Sequence, residues 1–205
     1  MVYKNFVLRS IISFLFIIIY FVISFINFNY IFFFILIIYI FVFLEIYFNF
    51  IKYRLIPIIY VLISFLFFIN IDLNFNLFLS FNIFIFSIII FDTFSYLFGK
   101  LFGKRKLIKV SPNKTVEGLI GGFFSSFVLS LLLSYFLNFT INFELIFYLS
   151  FVIIFAFIGD VIESFFKRKN DLKNSSNLIP GHGGVFDRFD SFLFSIVFYS
   201  ISITF

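Results

Sequence analysis

Two stretches of this sequence carry side chains able to do chemistry, IFAFIGDVIESFFKRK at 154–169 and SNLIPGHGGVFDRFDS at 176–191. A helix continued past Asp160 places positions 160, 163, 164 and 167 at i, i+3, i+4 and i+7. Asp160, Glu163, Ser164 and Lys167 then share one face. In the second stretch Gly181, Gly183 and Gly184 permit tight turns and close approach to a ligand. Asp187 and Asp190 stand at i, i+3 on the helix that begins there. Carboxylates one helical turn apart suit Mg²⁺, which takes oxygen ligands and is often shared with substrate phosphates. His182, the chain's only histidine, is weak evidence by itself, because turn histidines are commoner than catalytic ones.

A third stretch, DTFSYLFGKLFGKRK at 92–106, sets an apolar stripe of Phe94, Leu97, Phe98, Leu101 and Phe102 beside a polar or small one. That second stripe holds Asp92, Ser95, Tyr96, Gly99 and Gly103, with Lys100, Lys104 and Arg105 outside it. In the following SPNKTVEG, Ser111 is the expected N-cap and Pro112 the first helical position. Lys114 falls near that helix start, where backbone N–H groups favour anions. Plainer readings also fit: a solvated helix end, an interfacial amphipathic helix on anionic headgroups, and a capped glycine turn. Taken together, carboxylates and cations in one place suit phosphoryl or nucleotidyl transfer, where positioning and charge neutralisation supply most of the catalysis. GKLFGKRK at 99–106 has neither the spacing nor the hydroxyl residue of a P-loop. With no cysteine, thiol catalysis, disulfides and Cys-bound zinc are excluded, and one histidine excludes a His-rich metal site. Metal-assisted phosphate chemistry and an ion-coupled transporter both fit these residues.

The elements that must position them are membrane spans. Hydrophobic residues make up 63% of the 205 positions and charged residues 12%, against roughly 25% charged in a soluble domain. The basic residues fall into four groups: Lys4 and Arg9; Lys52 and Arg54; Lys100 to Lys114; and Lys167 to Lys173, with Arg188 behind. Between them lie apolar stretches, each broken by a polar segment without Lys or Arg, at 27–29, 70–76 and 138–144. Each interval therefore holds two candidate segments, 10–26 and 30–51, 55–69 and 77–91, 118–137 and 145–159. A last segment at 191–205 makes a short final span. Paired spans return the chain to one side, and the positive-inside rule makes that side cytoplasmic. The expected fold is all-α, a polytopic integral membrane helical bundle of about seven transmembrane helices with a cytoplasmic N-terminus. The apolar run after Arg9 outlasts a signal peptide and shows no small-residue cleavage site, so it is read as a retained first span. Gly118 and Gly122 form a GxxxG pattern that marks close helix packing. The reading is of one integral membrane domain, with N-terminal spans over 1–91. A catalytic half over 92–205 follows, its cytoplasmic loops at 92–117 and 160–190.

The run from Ser164 through Lys167 and Arg168 to KNSSNLIPGHGGVFDRFD at 173–190 resembles the signature of the phosphatidate cytidylyltransferase, or CDP-diacylglycerol synthase, family. DTFSYLFGKLFGK, SPNKTVEG and GDVIESFFKR resemble that family's other characteristic stretches, in the same order. The resemblance implies a multi-pass enzyme of the cell's inner (cytoplasmic) membrane, with its active site on the cytoplasmic side. It would transfer CMP from CTP to phosphatidic acid with Mg²⁺ and release pyrophosphate. Membrane lipids are partners and nucleic acid is not; a monovalent cation beside Mg²⁺ and a homodimer are left open. By resemblance Asp160 and Asp187 lead as Mg²⁺ ligands, with Asp190 and Glu163 next. Lys167, Arg168, Lys173, Lys114 and Arg188 neutralise phosphate charge, and Ser164 orients a phosphate or a water on the metal. Asp92, Gly183 and Gly184 belong with the bound substrate, and His182 shapes the turn or touches phosphate. Asn174 stands where the family has Asp, and the chain is shorter than the family leads one to expect, which reads as lost N-terminal spans. A CTP-dependent kinase of a lipid alcohol such as a polyprenol is the nearest enzyme alternative. A transporter fits less well, since the charges cluster at one face without an evident repeat.

Overall fold

The computed structural model describes residues 18–73, 77–108, 110–112, 114–179 and 183–204. They form seven helices: α1 over 18–26, α2 Tyr30–Asn49, α3 Leu55–Ile69, α4 Phe78–Phe102, α5 Val116–Phe136, α6 Phe143–Lys169 and α7 Phe186–Thr204. No strand occurs among the described residues, which carry only two isolated bridges. Helices are what a chain in hydrocarbon must form, because only they satisfy each backbone group within the segment. Four of them, α2, α4, α5 and α6, are long and apolar enough to cross a membrane. α3 is shorter at 15 residues, and α7 opens on Asp187, Arg188 and Asp190. Large side chains such as Phe33, Phe124, Phe136 and Phe143 are exposed on the outer helices, a surface that lipid rather than water would cover. The fold is a polytopic membrane helical bundle.

The polar breaks fall between helices as expected, at 27–29, after Ile69, and at 137–142. Residues 10–17 of the expected first span lie outside the described residues, as do Lys4, Arg9 and positions 74–76. Helix ends differ from the apolar runs in three places. α4 continues from 91 to Phe102, because its Ser95–Gly99 face packs on α5. α6 continues past Asp160 to Lys169, where Lys167, Arg168 and Lys169 complement the helix C-terminus. α7 starts at Phe186 rather than 191. Ser111 is not the N-cap of α5, nor Pro112 its first residue. Thr115, in extended conformation, accepts from Gly118 N at 3.1 Å and the helix begins at Val116. The start of the α4–α5 connection instead pairs with its end, Leu107 N donating to Lys114 O at 2.9 Å and Val116 N to Arg105 O at 3.0 Å.

α5 meets α4 along a stripe of small residues. Its buried positions are Gly118, Gly122, Ser126, Ser130 and Ser134, one every four residues. A Cβ at Gly118 would lie 2.7 Å from Ser95 O, so the GxxxG pattern does mark close packing. Further along, Ser126 Oγ donates to Ser87 O at 2.7 Å and Ser87 Oγ to Ser130 Oγ at 2.8 Å. α7 packs against α6, α3, α4 and α2, and its Phe186, Leu193, Ile196 and Tyr199 are almost wholly buried. Three basic segments gather at one end of this bundle. Lys52 pairs with Asp171, Tyr53 N donates to Asn170 Oδ1 at 2.9 Å, and Arg168 Nε donates to Val110 O at 3.3 Å.

Candidate active site

At that basic end, α4, α5, α6 and α7 enclose a cavity of about 560 Å³. Its acidic wall is Asp92 from α4, Asp160 from α6, and Asp187 and Asp190 from α7. Lys100, Lys114 and Arg188 supply positive charge. Extending α4 and α6 beyond their apolar runs is what carries Asp92 and Asp160 to this depth. α6 and α7 come close because position 159 is glycine; a Cβ there would lie 2.5 Å from Asp190 O. Asp160, Glu163 and Asp190 each offer a carboxylate oxygen within 4.8 Å of the others. Glu163 is 0% exposed; its Oε2 pairs with Lys167 Nζ at 2.6 Å, and Oε1 accepts no hydrogen bond from the described residues. A buried carboxylate oxygen without a donor, beside two more carboxylates, suits a hard divalent cation.

The lysines answer these carboxylates. Lys114 Nζ lies 2.6 Å from Asp160 Oδ2 and 5.4 Å from the centroid of the Phe157 ring. Lys167 bridges Glu163 and Asp187, 2.6 Å from each. Asp187 is thereby committed: its other oxygen accepts from Ser175 N and Gly184 N, both at 2.9 Å. It neighbours Glu163 across Lys167 and works as a clasp on Ser175 and Gly184. Gly183 has φ +88, a conformation that disfavours side chains, and a Cβ there would collide with Asp187 Oδ2. Gly184 is as constrained, because a Cβ would lie 2.5 Å from Glu45 Oε1. These two glycines allow close approach of carboxylates.

The remaining expected residues divide. Asp92 accepts from Ser191 Oγ at 3.0 Å on the cavity wall. Arg188 lines the cavity too. Ser164 is buried at 6% exposure but is not among the cavity-lining residues. Arg168 donates to Val110 O and to Leu172 O, the latter at 2.7 Å, and so ties loops together. Lys173 and Asn174 are exposed, and His182 and Gly181 lie outside the described residues. One residue escapes the motif reading altogether. Glu45, on α2 and 2% exposed, accepts from Ser176 Oγ at 2.6 Å, Ser175 Oγ at 3.2 Å, Val185 N at 2.7 Å and Phe186 N at 2.8 Å. These contacts cap α7 and explain its early start. The signal was present in sequence: a lone carboxylate inside the apolar run 30–51, where burial is costly.

The fold and the cavity together define a polytopic membrane helical bundle that gathers carboxylates and basic side chains around one cavity. The particular family follows from comparison. The Cytidylyltransferase family model matches residues 2–205, and the chain belongs to that family. Among curated relatives it is similar to the phosphatidate cytidylyltransferase of Staphylococcus aureus strain COL, 42% identical over 105 residues, or 50% of this chain and 40% of that one. The phosphatidate cytidylyltransferase of Bacillus subtilis strain 168 is 39% identical over 109 residues, 52% of this chain and 40% of that one. The matched stretch thus spans well under half of the length of either relative.

Proposed function

We propose that this chain transfers CMP from CTP to phosphatidic acid, giving CDP-diacylglycerol and pyrophosphate, at the cytoplasmic face of the membrane. The observation that carries this reading is the trio Asp160, Glu163 and Asp190, of which Asp160 and Asp190 line one cavity with Lys114 and Arg188, in a chain of the Cytidylyltransferase family. The named activity of the relatives supports the same substrates. Asp160, Glu163 and Asp190 would hold Mg²⁺, which when bound supplies charge neutralisation for the triphosphate. In this reading Asp190 and Glu163 stand beside Asp160 as ligands, while Asp187, whose oxygens meet Lys167, Ser175 N and Gly184 N, holds the chain next to them. Lys114 and Arg188 draw the phosphates into the cavity, and Lys167 keeps Glu163 and Asp187 in register. A phosphate oxygen of phosphatidic acid attacks the α-phosphorus of CTP, the new P–O bond forms, and the bond to the β-phosphate oxygen breaks. The nucleophile is already anionic at neutral pH, so the site needs no strong general base.

Purified protein given CTP, Mg²⁺ and phosphatidic acid in mixed micelles should yield CDP-diacylglycerol and pyrophosphate in equal amounts. EDTA should stop the reaction and Mg²⁺ restore it. Asp160→Asn and Asp190→Asn should each lose at least about 100-fold in turnover, the scale for removing a preorganised electrostatic group, at undiminished expression. CDP as the nucleotide product would mean γ-phosphoryl transfer to a lipid alcohol instead. Unchanged turnover in both variants would remove the metal assignment.

A further inference from the structure

Between α6 and α7, Ser175, Ser176, Gly184 and Val185 are held by two carboxylates from different helices. Asp187 takes the Ser175 and Gly184 amides; Glu45 takes the Ser175 and Ser176 hydroxyls and the Val185 and Phe186 amides. Ser175, 0% exposed, touches both, its N–H on Asp187 and its hydroxyl on Glu45. Glu45 therefore fixes where the first turn of α7 begins. That turn carries Asp187, Arg188 and Asp190 into the cavity. Nothing in Glu45 reaches the cavity itself, since it is not among the lining residues.

We infer that Glu45 is a positioning residue: from α2 it clamps Ser175, Ser176, Val185 and Phe186 and so sets the placement of Asp190 and Arg188 for the transfer reaction. The kinetic half of this inference rests on the proposed function; the structural half does not. Glu45→Gln keeps the side chain's size but turns an amide NH₂ toward N–H and O–H donors, so at least one partner is lost and one buried donor is left facing another.

Hydrogen exchange read by mass spectrometry on the whole chain in detergent tests the clamp directly. In Glu45→Gln the amides at 183–186 should exchange at least about tenfold faster while peptides of α4 and α5 stay unchanged, as expected of a local opening. Turnover should fall about 10–100-fold and half-saturation by Mg²⁺ should rise, as when an outer hydrogen-bond partner of a metal ligand is removed, with KM for phosphatidic acid within about twofold. Adding Ser175→Ala and Ser176→Ala to Glu45→Gln should cost little more, because all act through the same contacts. Unchanged exchange in a folded Glu45→Gln overturns the clamp. Faster exchange with unchanged turnover and Mg²⁺ dependence overturns the positioning role. If Glu45→Gln does not fold, Ser176→Ala carries the test, since it deletes the 2.6 Å contact and leaves the carboxylate in place. Wild-type protein that makes no product overturns the proposed transfer alone, and the exchange measurement still decides the clamp.

Discussion

Lys167 shows how few atoms hold the site. It sits between Glu163, which is fully buried, and Asp187, at 2.6 Å from each, with its own side chain 12% exposed. Removing it leaves two carboxylates facing each other without a cation. Lys167→Ala should lower stability by about 3–5 kcal/mol, the cost of breaking a buried ion pair by deleting one partner. Thermal unfolding in detergent would show this, and a variant as stable as wild type would mean that water or lipid phosphate already screens the pair. Asp160→Asn should be far milder in stability, because Lys114 can still meet an amide oxygen. Reading these residues from sequence succeeded where helical spacing sufficed: Asp160, Glu163 and Lys167 do share a face. It fell short where partners come from elsewhere. The roles of Asp187 and Gly184 depend on Ser175 and Glu45, the latter in a different helix far away along the chain. No local pattern encodes such a contact.

At the scale of elements, α4 and α5 form the wall opposite the α6–α7 pair, and their contact is made of absences. In lipid no hydrophobic drive brings helices together, so close backbone approach and hydroxyl bonds must do it. Gly122→Val would press a branched side chain into Ser95 and should cost about 1–3 kcal/mol, as overpacking does. Ile120→Val, on the exposed side of the same helix, should be near neutral. Ser126→Ala removes a bond to Ser87 O and should cost about 0.6 kcal/mol, typical of interhelical hydrogen bonds in membranes. Melting temperatures of the three variants, measured together, check the order. The GxxxG pattern was legible because glycine is scarce here. The serine continuation at 126, 130 and 134 was hidden by a composition in which nearly every other span position is large and apolar. The start of α5 was misplaced for a related reason. Ser111–Pro112 has the chemistry of a helix start, yet Arg105 and Leu107 pair with Val116 and Lys114 and leave Thr115 to cap.

For the whole molecule, charge alone predicts which loops lie together, and Lys52–Asp171, Arg168–Val110 and Lys114–Asp160 bring three basic segments to one end. Which side of the membrane that end faces can be read by labelling, because the chain has no cysteine of its own. Lys104→Cys should react with a membrane-impermeant thiol reagent only from the cytoplasmic side, and Thr140→Cys only from the other. Both positions are exposed, so a failure to label would reflect topology rather than burial. The rough extent of the apolar helices was legible in hydropathy and charge; their true ends were not, since α4, α6 and α7 extend through charged residues that find partners or a place in the cavity wall only in the folded bundle. The stripe on α5 has a consequence for how such a chain changes over generations. With 43 phenylalanines in 205 residues, a genome can exchange one bulky apolar letter for another around the outside of the bundle with little penalty. Five positions on α5 cannot join that drift, so its inherited pairing with α4 is recorded in the places where bulk has been refused.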